Sequence, residues 1–112
     1  MRFLYKILPR EAWQAAMRGG VFEGSAVDHA DGFIHLSAAH QMRETAARHF
    51  AGQKDLVLVA FAEGDLEQLK WEPSRGGDLF PHVYGSIPTQ KAVAVHPLPL
   101  VDGIHRFPEG LA

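Results

Sequence analysis

Six residues, Leu56-Val57-Leu58-Val59-Ala60-Phe61, constrain this chain more than any other stretch. Alternate residues of a strand face opposite ways, and here both sets are apolar. The run predicts a strand over 55–61 that is central in its sheet. A second strand is expected from Phe3 to Leu8, where Phe3, Tyr5 and Ile7 form one face and Leu4, Lys6 and Leu8 the other. Both faces are largely apolar, so this strand too is buried on both sides. Lys6 is the exception.

Between and after these strands the punctuation predicts an alternation of short elements. Pro9 suits the start of a helix, because its missing N–H would have had no partner there. The helix runs from Arg10 to about Arg18 with Ala12, Trp13, Ala16 and Met17 as its apolar stripe. Gly19-Gly20 ends it. Trp13 is expected in the core. Residues 21–31 are polar and rich in turn formers, so they are expected to be irregular. A short strand from Phe33 to Leu36 follows, then a helix from Ala38 to about Phe50 with Ser37 as its N-cap. One helical turn over 66–69, a short strand around 69–72, a loop over 73–78 and a last strand over 92–96 complete the order. The prolines and glycines beyond Pro97 predict an edge extension and a loose tail. The expected fold is one α+β domain over residues 1–112, with its core at about 3–98, two main helices and an antiparallel-rich sheet.

Composition excludes several function classes. The chain has 112 residues and a formal net charge of −2. A nucleic-acid binder working through bulk electrostatics would carry a basic stripe instead; a small nucleotide or an RNA end stays open as a ligand. With no cysteine there is no disulfide, thiolate metal site or cysteine nucleophile. The first residues form no apolar signal core, and no apolar run approaches the length of a spanning helix. The expectation is a soluble, cytoplasmic protein with no membrane partner.

Two separated runs draw attention as a site: Gly32-Phe33-Ile34-His35-Leu36-Ser37 and Phe80-Pro81-His82-Val83-Tyr84-Gly85. In extended chain Phe33, His35 and Ser37 share a face, as do His82 and Tyr84. If the runs lie side by side, two imidazoles, a phenol and a hydroxyl line one crevice. Near neutral pH an imidazole both donates and accepts, which suits a ribose hydroxyl or a proton transfer. The alternative for His35 is a half-buried ring tied to a neighbouring carbonyl, and for Ser37 the helix cap. Glu72 is a candidate to stabilise oxocarbenium-like charge at a breaking glycosidic bond, or else an exposed carboxylate at a strand end. Arg75 offers a planar fork for phosphate, or is a solvated loop residue. Gly85 allows a tight turn or a close ligand approach. A metal site built from Asp28, His29, Asp31 and His35, with His82, was weighed too. No His-x-x-x-His pair with an acidic partner supports it, and no metal is expected.

These runs, with Leu4-Tyr5-Lys6-Ile7, Trp13, Trp71-Glu72 and Ala92-Val93 in the same order and rough spacing, resemble the bacterial domain of unknown function 952. The resemblance covers about residues 3–98. That family is similar to the ADP-ribosyltransferase-like superfamily, and its nearest echo there is the RNA 2′-phosphotransferase branch with its Val-His-Leu-Ser strand. The resemblance implies a split sheet around a cleft that holds NAD. Carried over by that resemblance, the second-strand position falls on His35 with Ser37 beside it, and Glu72 or His82 is the counterpart of the third. Together with the residue readings above, the expected catalytic residues are His35, His82 and Glu72, and Lys6, Ser37, Arg75, Tyr84 and Gly85 are expected to bind the nucleotide. Family members often carry Tyr-His-Ile in the first strand; this chain has Lys6 in place of that histidine. A lysine donates to ribose or phosphate oxygens but accepts from nothing. The implied activities are transfer or cleavage at the nicotinamide-side ribose of NAD. A binding module without catalysis and an RNA-end-processing enzyme are the alternatives.

Overall fold

The chain alternates short strands with three helices, and a computed structural model describes residues 1–111, with the backbone alone at Arg75. The long apolar run becomes β5 (Leu56–Ala62), every residue of which is buried. It pairs antiparallel with β1 (Phe3–Pro9) on one side and β9 (Ala92–Leu98) on the other. The two-residue strand β4 (Ser37–Ala38) closes the far edge, so the four-stranded sheet has the order β4-β1-β5-β9. A separate three-stranded sheet has the order β3-β7-β6, formed by β3 (Ile34–His35), β6 (Leu69–Pro73) and β7 (Leu79–Val83). The fold is α+β, with several antiparallel sheets and three helices.

Period-two alternation assigns the two faces of the larger sheet to two cores. Leu4 and Leu8 join Val57, Val59 and Phe61 on one face, packed with Trp13, Phe22, Ile34 and Val83. Tyr5 and Ile7 join Leu56, Leu58 and Ala60 on the other, under Met42 and Ala46. Trp13 sits on α1 (Arg10–Gly19) and packs edge-on to Phe61 at 6.3 Å, the core role expected of it. Gly20 ends α1 in the left-handed conformation, at φ 82°. Lys6 falls on the same strand face as Leu4 and Leu8 and is 6 % exposed. An ammonium there needs a partner.

The structure corrects four expectations. Residues 21–31 are not irregular: β2 (Val21–Phe22) pairs with β8 (Ile87–Pro88), and α2 (Ala26–Asp31) follows, a third helix where two were expected. Ser37 caps no helix. It pairs with Tyr5 in β4, and α3 starts only at Met42 (Met42–His49). Between them the Gln41 side chain accepts from the Ala38 N–H at 2.9 Å, which holds the chain in a turn. The single helical turn after β5 lies at Glu63–Asp65 rather than over 66–69. The tail is not loose either. β10 (Leu100–Val101) and β11 (Ile104–His105) form a hairpin whose turn residues Asp102 and Gly103 have φ of 53° and 79°. An Asp-Gly pair favours such turns. His105 Nε2 lies 2.8 Å from the Gln53 carbonyl, and Phe107 and Leu111 pack on the second core.

Candidate functional site

The second sheet joins the two histidine runs. β3 pairs with β7 in a register that sets His35 directly opposite His82. Directly opposed residues project to the same face, and the two rings meet edge-on with centroids 5.5 Å apart. Phe33 lies against both, 4.6 Å from His35 and stacked on His82 at 4.0 Å. The chain then leaves this sheet: the Leu36 N–H donates to the Pro81 carbonyl at 3.0 Å, and Ser37 enters the other sheet. The site therefore lies where one continuous segment crosses between two sheets.

A cleft of about 890 Å³ opens at this crossing. Lys6, His35, Ser37 and His82 line it, so four of the expected site residues share one wall. Tyr84 and Glu72 do not line it, and Gly85 borders a smaller hollow of about 200 Å³ with Phe33 and His29. The side chain of Arg75 lies outside the described residues. Asp31, Thr45, Arg48 and His49 also line the cleft; of these the sequence pointed only to Asp31, and to it only as a metal ligand.

Each histidine is held by a carboxylate. His82 is 4 % exposed, and its Nδ1 lies 2.8 Å from Glu72 Oε1. The same oxygen accepts from the Tyr84 hydroxyl at 2.7 Å. The Tyr84 bond and then the His82 bond lower the Glu72 pKa, while Glu72 in return raises that of the Tyr84 phenol. Glu72 and Tyr84 thus form a brace behind His82 rather than a part of the cleft wall. Nε2 of His82 is buried with no partner among the described residues.

His35 is held by Asp28, which in sequence lies among turn formers and suggests at most a metal ligand. Asp28 is 2 % exposed, and its Oδ1 lies 2.6 Å from His35 Nδ1. The His35 backbone N–H donates to the same oxygen at 3.1 Å. The Ser25 N–H donates to Oδ2 at 2.7 Å, and Lys6 Nζ donates to both oxygens, at 3.1 and 2.9 Å. Burial opposes ionisation of Asp28. The His35 bond, the Lys6 charge and the Ser25 N–H outweigh it and hold the carboxyl well below the ordinary carboxylate range. Burial pushes the Lys6 pKa down, against the pull of Asp28. The third donor of Lys6 goes to the His35 carbonyl at 3.1 Å. All three ammonium donors of Lys6 therefore have partners inside the protein, and they tie β1 to Asp28 and to the His35 strand. Asp28 had left a trace in Ser25-x-x-Asp28, the spacing by which a helix start binds its own backbone.

The other nitrogen of His35 faces Asp31: Nε2 lies 2.9 Å from Oδ2. Ser37 Oγ is 3.1 Å from Thr45 Oγ1, a hydroxyl pair that ties β4 to α3. Arg48 is held through Nε by Glu44, at 2.9 Å on the exposed side of α3. Among the described residues no group of three or more metal-ligating side chains is close enough to hold an ion, and no helix is long and apolar enough to cross a membrane.

Comparison with known proteins adds the lineage. The crystal structure of protein CC0527 from Caulobacter crescentus superposes with a TM-score of 0.88 at 53 % identity, covering 93 % of each chain. Its solution NMR structure superposes with a TM-score of 0.81 at 54 % identity, covering 91 % of this chain and 90 % of that one. A comparison with curated proteins finds no match. The family model described as "Protein of unknown function (DUF952)" matches residues 7–95, from within β1 into β9, and takes in every residue that lines the cleft except Tyr5 and Lys6. The chain belongs to the family of domain of unknown function 952.

Proposed function

We propose that the protein binds NAD or a related nucleotide in the His-lined cleft and cleaves or transfers at the ribose that carries the nicotinamide. One observation carries this reading: His35, clamped by the buried Asp28, stands beside the Asp31 carboxylate in a cleft of about 890 Å³. That volume lies within the roughly 300–1,000 Å³ of small-molecule sites. A pyridinium ring, and the oxocarbenium-like charge that grows as its bond to ribose breaks, are favoured next to a carboxylate. Asp31 takes this role in place of Glu72, whose Oε1 is occupied by His82 and Tyr84. Arg48 borders the cleft, and its planar guanidinium, held through Nε by Glu44, is of a kind suited to the diphosphate. The similarity of the family to the ADP-ribosyltransferase-like superfamily points the same way.

The test is thermal unfolding with millimolar NAD or ADP-ribose, together with an assay for free nicotinamide. Protection is expected, and it is expected to shrink in His35→Ala and Arg48→Ala proteins that fold normally. Absence of protection by any nucleotide at that concentration overturns the reading. A second reading, a binding module without turnover, is favoured by Lys6, which stands where a first-strand histidine is frequent and has no free donor. Protection by NAD with no nicotinamide released would select it.

A further inference from the structure

The two carboxylates that grip His35 differ in what each loses by letting go. Asp28 faces Nδ1 with its side chain 1 % exposed, and Asp31 faces Nε2 with its side chain 49 % exposed. A carboxylate only accepts, so the hydrogen bond at Nδ1 needs an N–H on the ring, and the ion pair at Nε2 exists only when the ring carries its second proton. The imidazolium has two and the neutral imidazole one. When the ring gives up a proton, one carboxylate must lose its donor. Water can replace that donor at the half-exposed Asp31 but not at the buried Asp28, where a missing partner is costly. The proton that stays is therefore on Nδ1, and the proton that moves is on Nε2.

We propose that Asp28 and His35 form an oriented acid–base pair, with Asp28 as the positioning residue and Asp31 as a latch that holds Nε2 only while that nitrogen carries a proton. The charged and titratable surroundings are consistent with this. From β1, Lys6 neutralises the far side of Asp28 and donates to the His35 carbonyl. From β7, His82 meets the His35 ring edge-on, and its own Nδ1 is taken by Glu72 of β6. Nε2 of His82 is buried, whereas the His35 side chain is 31 % exposed, so of these two opposed rings His35 is the one that can exchange a proton with the cleft.

Resting on the nucleotide reading, the step balances as follows. The oxygen of a water molecule bonds to C1′ of the ribose while the bond from C1′ to the nicotinamide nitrogen breaks. The electron pair of that bond leaves with nicotinamide, which departs neutral and needs no proton. The proton of the water goes to Nε2 of His35. A single free imidazole nitrogen is enough for this chemistry.

The experiment reads the pair first without any ligand. Long-range proton–nitrogen NMR spectra of the whole protein report the tautomer of each histidine, with His35 assigned by its loss in His35→Gln. The neutral His35 ring is expected with its proton on Nδ1, and Asp28→Asn is expected to return it to a mixture. Asp31→Ala, which tests the latch even if Asp28→Asn fails to fold, should keep the tautomer of the neutral ring and, in the protonated ring, speed exchange of the Nε2 proton at least about tenfold. A proton on Nε2 in the neutral wild-type ring, or unchanged exchange in Asp31→Ala, overturns the proposal. With NAD, His35→Gln should lower kcat for nicotinamide release by about a hundredfold or more, leaving KM within a few-fold; unchanged kcat also overturns it. If the Nδ1 tautomer is found and NAD fails to bind, the nucleotide reading falls and the oriented pair stands.

Discussion

Asp28 Oδ1 accepts from both the ring and the backbone of His35, at 2.6 Å from Nδ1 and 3.1 Å from the peptide nitrogen. One buried oxygen thus fixes both where the strand carries this residue and how its ring is turned. Because Lys6 closes the opposite side of the carboxylate, the first strand, the second helix and the site strand depend on one another.

Breaking this group at one point should cost more than replacing it in pairs. Asp28→Ala leaves the Lys6 ammonium buried without its counter-ion, a change expected to destabilise by about 3–5 kcal/mol. Lys6→Met/Asp28→Asn should lose clearly less than the sum of its two single variants, because neither buried charge remains alone. Urea unfolding of the four proteins measures this, and strict additivity would refute the coupling.

Acid should act through the same carboxyl. Its folded pKa lies below its unfolded value of about 3.9. Above that unfolded value the stabilisation is fully present, and it drains away as pH falls below it toward the folded pKa. Stability measured in urea is therefore expected to fall below about pH 4. The fall should be shallower in Asp28→Asn, and equal slopes for the two proteins would show that Asp28 is not the group responsible.

Tyr84 offers an optical view of the brace behind His82. Both tyrosines of the chain have raised phenol pKa values, Tyr5 through burial and Tyr84 chiefly through its bond to Glu72. A near-ultraviolet titration of Glu72→Gln should move one of the two phenols back toward the ordinary value of about 10 and leave the other in place. Two unmoved phenols would mean that the contact does not persist in solution.

Gly85 is expected to resist replacement. Its φ is 149°, and an added Cβ would lie 2.5 Å from Gln68 Oε1. Gly85→Ala should destabilise by roughly 1–3 kcal/mol through backbone strain. Gln68→Ala in the same protein removes the steric contact and leaves the strain, so rescue should be partial. Complete rescue, read as a recovered melting temperature, would assign the whole effect to the side chain of Gln68.

Much of the fold was legible because it follows from local rules. The apolar run at 56–61 had to be a covered strand, and it became the buried β5. Alternation in the first strand separated Leu4 and Leu8 from Tyr5 and Ile7, the division that the two cores keep. The pairing of the two histidine runs rested on an assumption of adjacency, which the register of His35 opposite His82 satisfies.

What local rules could not supply was the partner of each charge. Asp28 and Asp31 sit among turn-forming residues, and a polar stretch of that kind reads as solvated surface. Only the packing of β1 against α2 brings Lys6, 22 residues away, onto Asp28 and takes both out of water. That burial converts a turn-like acid into the support of His35 and gives the Lys6 ammonium partners inside the protein. Ser37 changed for the same reason: as a sequence it is an N-cap, but pairing with Tyr5 makes it a strand residue. Periodicity and turn chemistry act over a few residues, so the sequence determined the long strands of the larger sheet, the first helix and the candidate imidazoles. Burial and long-range charge pairing exist only in the folded chain, and they decided which of those side chains support the cleft and which are left to act in it.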